Sequence, residues 1–197
     1  MTNFTAFDLE MNQPSGKIIQ VGAVIGNIET GEILETLDLL VKPYPWDPIN
    51  PEIVSLCGIT EDMIAERGMA LIHAYEILRD TVAKFECSKQ PIVWATGDSY
   101  WLRKELEETT GIMFSKGFGD NKIPGPPFVF GIGSLDAKVL YQSWRLANGK
   151  NMQGGLAKAL TKFGLAFQGR KHRADADALN TFIIYRKLLE AFKLYGE

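Results

Sequence analysis

The segment "KIIQVGAVIGNIETGEILETLDLLVKP", residues 17–43, constrains the fold of this chain more than any other. Two runs rich in Ile, Val and Leu flank the turn residues "ETGE", and that pattern predicts a β-hairpin. A shorter run, "FTAFDLE" at residues 4–10, precedes it and reads as a third strand. Three consecutive strands need helices to cover their faces, and the rest of the chain supplies them.

"NPEIVSLCGITEDMIAE" carries two helix starts, Asn50 before Pro51 and Thr60 before two acids. Over residues 70–86, Leu71, Tyr75, Leu78, Val82 and Phe85 recur at spacings of four and three, which predicts an amphipathic helix. "PIVWAT" reads as a buried strand, followed by a helix that includes Leu102 and Leu106. Residues 111–127 read as a Gly/Pro-rich loop, and "FVFGIG" at 128–133 as a further strand. Helices are then expected near 134–147, 153–163 and 174–194. The expected fold is an α/β domain over residues 1–197, with a mixed sheet of an antiparallel hairpin plus parallel strands, flanked by helices.

Cys57 and Cys87 form neither a disulfide framework nor a zinc-site spacing, so buried thiols in a reducing compartment are expected. "MTNFTAFDLE" lacks a basic region ahead of an apolar core, and no apolar run approaches a membrane span. A cytoplasmic enzyme or binding domain with no membrane partner is the expectation. The net charge of −3 hides an uneven distribution. Between Asp136 and Asp175 stands no acidic residue, while Lys138, Arg145, Lys150, Lys158, Lys162, Arg170, Lys171 and Arg173 all fall there. Such a segment is either a solvated face or the border of a polyanion site.

Asp8 and Glu10 sit two apart on the first strand and so share one face of the sheet. Two buried carboxylates repel unless cations sit between them. Near the other end, "GRKHRADADALNTF" places Asp177 in the first turn of the last helix with His172 just upstream. Helix dipoles favour Asp175 and Asp177 there in any protein, but they leave His172 unexplained. His73 falls off the apolar stripe of its helix and is read as a surface residue. Asp98, in "WATGDSYWLRKEL", follows a buried strand, where ligands collect in open α/β sheets. Asp98 and Leu102, four apart, share a helix face; Asp120 and Asp136 are its competitors as a middle acid. Oxygen donors of this kind suit Mg²⁺ or Mn²⁺ better than zinc. Trp94, Trp101, Phe128 and Phe130 are able to stack on bases, but core packing is the expectation for all four.

"FDLE", an acid after a central strand, and "HRADAD" together resemble the DEDDh, or DnaQ-like, family of 3′–5′ exonucleases of the RNase H-like superfamily. The resemblance covers most of the chain, and "GGLAKALTKFGLAFQGRKHRADADALNTF" is most similar to the branch containing histone-mRNA exonucleases. Two positions depart from the family pattern. Met11 and Asn12 stand where many members carry threonines, and Tyr100 stands three after Gly97 where an aspartate is common.

The resemblance implies an RNase H-like fold and a metal-dependent 3′–5′ exonuclease that releases nucleoside monophosphates from single-stranded DNA or RNA. Asp8, Glu10, Asp98 and Asp177 would hold two ions, Mg²⁺ or Mn²⁺. His172 would act as general base, since histidine titrates near ~6.5 when unperturbed. Leu9, Met11, Asn12 and Ile59 would contact the substrate, with Arg170, Lys171 and Arg173 tracking its backbone. Two alternatives stand beside this reading: a catalytically weak nucleic-acid-binding or regulatory protein, and a proofreading or repair subunit of a polymerase.

Overall fold

The computed structural model describes residues 2–115, 124–131 and 133–193. A five-stranded sheet runs through its centre in the order β3-β2-β1-β4-β5. Strands β1 (Asn3–Met11), β2 (Ile18–Asn27) and β3 (Ile33–Leu40) pair antiparallel, as the hairpin pattern predicts. Strands β4 (Ile92–Val93) and β5 (Leu135–Asp136) continue the sheet in parallel from β1.

Helix α1 (Pro51–Cys57) starts at Asn50, whose side chain accepts the Glu52 N–H. Helix α2 (Glu61–Arg67) starts at Thr60, whose hydroxyl accepts the Met63 N–H. Both starts follow from local capping chemistry. The periodic helix is α3 (Leu71–Lys84), and α4 (Asp98–Thr110), α5 (Ala137–Ala147), α6 (Leu156–Lys162) and α7 (Ala174–Lys193) complete the set among the described residues.

Strand alternation sorts the side chains of β1. Phe7 and Leu9 enter a core with Leu78 of α3 and Leu102 and Leu106 of α4. Ala6 points the other way, packing with Ala178 and Phe182 of α7 and Ala137 of α5. Asp8 and Glu10 therefore share the α7 side of the sheet. Both cysteines are free and buried, as expected.

One predicted strand is absent among the described residues. Residues 128–131 of "FVFGIG" form no ladder, and the fifth strand falls later, at Leu135–Asp136. The reason is tertiary: Phe130 packs against Phe7, Phe128 stacks on Tyr75, and the Tyr75 hydroxyl accepts the Val129 N–H. Residues 111–115 and 124–127 lie outside regular elements, and the middle of that expected loop lies outside the described residues. Among the described residues no helix is long and apolar enough to cross a membrane.

Candidate active site

Asp8, Glu10 and Asp177 converge. Each offers a carboxylate oxygen, and these oxygens all lie within 4.8 Å of one another. The approach depends on Gly22, the β2 partner of Asp8. A Cβ there would fall 2.0 Å from the Ala174 carbonyl carbon, so only glycine lets the start of α7 rest on the sheet.

Asp98, on α4, stands outside that group of three but is close enough for its charge to raise Asp8. Gly97, with φ of 139°, turns the chain from β4 into the helix, and Asp98 is its first residue. One turn later Leu102 is fully buried and fixes the helix against β1. The competitor Asp136 is occupied elsewhere: it caps α5, accepting the Val139 N–H at 2.9 Å. Asp120 lies outside the described residues.

The charges in this cluster are costly. Burial pushes the Asp8 carboxyl well above its ordinary range, and the carboxylates of Asp98, Glu10 and Asp177 push it further. Burial, then Asp177, lifts Glu10 to about 7, against which Arg173 pulls it down. Burial lifts Asp98 to about 7 as well. Asp177 is also raised by burial, less so because His172 offsets it by charge and by a backbone N–H donated to the carboxylate. Desolvation is the largest cause of every one of these shifts, and repulsion between carboxylates adds to it at Asp8, Glu10 and Asp177.

His172 sits where the sequence places it, two residues ahead of α7, exposed and in left-handed backbone with φ of 60°. It lines a cavity of about 450 Å³ with Asp8, Asp177, Trp94, Lys158 and Lys171. Trp94 leans on Tyr141 with ring centroids 6.1 Å apart while facing this cavity. The expectation of core packing is thus right for Phe128 and Phe130 but incomplete for Trp94. It fails for Trp101, which is exposed.

A polar network fixes the start of α7. The Gln20 amide donates to Asp38 at 2.6 Å and to Asp175 at 2.8 Å, and its oxygen accepts the Ala174 N–H at 2.9 Å. Arg173 donates to Asp38 at 2.9 Å and faces Asp175 at 3.5 Å. Sequence reading missed Gln20 and Asp38, because nothing local marks a β2 glutamine as the partner of residues some 150 positions away.

Several of the residues expected to contact substrate are held in other surroundings. Leu9 is buried on the opposite face from the acids, as its parity on β1 requires. Ile59 is fully buried with Ile19, Leu40 and Ile64 and offers no side-chain surface. Asn12, also buried, donates to Asp47 and to the Pro48 carbonyl and accepts the Asn50 N–H, so it ties β1 to the start of α1. Arg173 is spent on Asp38 and Asp175, and Arg170 donates to the Ser55 carbonyl at 3.2 Å beside Gly58. Met11 and Lys171 remain at surfaces open to a ligand.

The sheet order and the flanking helices give a fold that is shared with solved nucleases. Among solved structures sharing it is the nuclease domain of 3'hExo, a DEDDh family member, bound to rAMP. Its TM-score is 0.76 at 18% identity, over 96% of this chain and 92% of that one. A 3′-exonuclease that recognises the 3′ end of histone mRNA stem-loop matches with a TM-score of 0.77 at 17% identity, over 96% and 82%. S. pombe Pop2p, in a form binding Mg²⁺ and Mn²⁺, matches with a TM-score of 0.63 at 20% identity, over 98% and 83%. At these identities the likeness is one of fold. No family model matches the sequence, and no curated relative does.

Proposed function

We propose that this protein is a metal-dependent 3′–5′ exonuclease that removes nucleoside monophosphates from the 3′ end of single-stranded DNA or RNA. The observation that carries the reading is the meeting of Asp8, Glu10 and Asp177 within 4.8 Å, with Asp98 close enough to raise Asp8. The donor set fits hard divalent cations: every candidate ligand is a carboxylate oxygen, and each is held at a cost that a cation would relieve. Asp8, Glu10, Asp98 and Asp177 would hold two ions of the Mg²⁺ or Mn²⁺ class. When bound, such ions polarise the phosphodiester and neutralise the charge that builds on its oxygens.

The rest falls to the side chains of the chain itself. β1 and α7 present three acids from rigid elements, so the reacting phosphate meets a fixed geometry. His172 lines the same cavity as Asp8 and Asp177 and is suited to take the proton from the attacking water. Its backbone N–H holds the Asp177 carboxylate, which couples the base to the acid it must serve. Lys158 and Lys171 border the cavity and supply positive charge for the substrate backbone. Trp94 offers an apolar wall for the terminal nucleoside.

The test is a pair of variants. Asp8→Asn and Asp177→Asn should each bind Mn²⁺ more weakly by calorimetry and lose hydrolysis of a single-stranded oligonucleotide. Wild-type Mn²⁺ affinity in both, with hydrolysis intact, would overturn the assignment.

A further inference from the structure

We propose that the groove between the β1–β2 turn and α4 carries the nucleic-acid strand upstream of its 3′ end, with Trp101 as its stacking platform. This rests on the exonuclease reading and adds the path of the substrate to it. The groove holds about 450 Å³ and is lined by Met11, Gln13 and Lys17 on one wall and by Trp101, Lys104 and Glu108 on the other.

Both walls adjoin acids along the chain. Met11 follows Glu10 on β1, where a register shift between Glu10 and Met11 re-aims the strand end. On α4, residues 98, 101, 105 and 108 follow helical spacing, so Trp101 lies one turn beyond Asp98 on the same face. From Asp98 to Glu108 the helix rises about 15 Å, room for up to about four stacked nucleotides. The floor is fixed by Glu105, whose buried carboxylate accepts the Ile18 N–H at 3.0 Å and ties α4 to the start of β2.

The chemistry of the walls suits a single strand. Trp101 is 41% exposed and Tyr100 61%, although Leu102 and Leu106 give α4 an ample buried face. Tyr100, on the neighbouring face of α4, meets the Trp101 ring edge to face with centroids 5.2 Å apart. Lys104 lies 4.9 Å from the centre of the Trp101 ring and 3.8 Å from Glu108, a pairing that an arriving phosphate would displace. Lys17 supplies a second cation from the facing wall. An exposed aromatic flanked by lysines in a groove is a means by which single strands are held without reading their sequence.

The experiment compares hydrolysis of a dinucleotide with that of a single strand of roughly twelve nucleotides, both with Mn²⁺. Wild type should favour the long strand. Trp101→Ala should reduce that preference, the ratio of the two kcat/KM values, by about tenfold to a hundredfold, mainly through KM. Trp101→Phe should restore most of it. A wild type indifferent to length, or a Trp101→Ala variant with the wild-type ratio, overturns the proposal. Failure of wild type to cut either substrate would instead refute the exonuclease reading. Anisotropy of a labelled strand then decides the groove: weaker binding by Trp101→Ala supports it, and equal binding overturns it. Self-association lost in Trp101→Ala, with strand affinity unchanged, would assign this face to a second copy and also overturn it.

Discussion

The side chain of Gln20 accepts the Ala174 N–H at 2.9 Å, binding the first part of β2 to the first turn of α7. The same amide donates to Asp38 and Asp175, so one buried residue settles three polar groups at the place where Asp177 must meet Asp8. Gln20→Ala should cost about 1–3 kcal/mol in urea unfolding, since the buried Ala174 N–H is left without its acceptor. Mn²⁺ binding should weaken in parallel, because α7 loses its register on the sheet. Gln20→Glu should not rescue either, as it adds a third acid beside Asp38 and Asp175.

Proton binding at the acids makes metal affinity depend on pH. Glu10 and Asp98 are raised to about 7 from their ordinary 4.5 and 3.8, each chiefly by burial. Over that interval the folded metal-free protein holds protons that the unfolded chain has released. Its stability at this site therefore falls as pH rises from the ordinary carboxylate range through about 7. Cations compete with the same protons, so Mn²⁺ should raise the melting temperature more at about pH 8 than at about pH 6. Equal shifts at the two values, by differential scanning fluorimetry, would contradict this electrostatic account.

His172 is separable from the acids. His172→Ala should lower kcat by ~100- to 10,000-fold while metal-dependent binding of an uncleavable oligonucleotide is largely retained. Stopped kinetics and anisotropy on the same preparation check both halves. An unchanged kcat would make the residue structural, serving Asp177 through its backbone alone.

Much of this arrangement is legible in the sequence where the signal is local. Asn50 and Thr60 announce α1 and α2 by capping, and the spacing from Leu71 to Val82 announces α3. Strand parity puts Asp8 and Glu10 on one face, and it also turns Leu9 away from them. What the sequence hides is non-local. "FVFGIG" has strand composition, yet Phe128 and Phe130 are drawn into an aromatic cluster with Phe7 and Tyr75. Arg173 looks like a phosphate contact until folding brings Asp38 to it across 135 positions. Asn12 resembles a substrate residue until the loop carrying Asp47 and Pro48 closes over it.

The middle acid separates two registers. Asp98→Asn should abolish hydrolysis under Mg²⁺, since it removes a carboxylate that acts directly on Asp8. Asp136→Asn should fold and retain much of the activity, because asparagine preserves the cap that accepts the Val139 N–H. Parallel assays of the two purified variants decide the matter. The opposite pattern would place the second motif on Asp136.

The central claim is tested most directly by a time course on 5′-labelled single-stranded DNA and RNA with Mg²⁺ or Mn²⁺, resolved to single nucleotides. The account predicts a ladder of products shortened stepwise from the 3′ end, abolished by excess EDTA and restored by added metal. A ladder that persists in EDTA, immediate release of the labelled 5′ nucleotide, or no cleavage of either strand would contradict it.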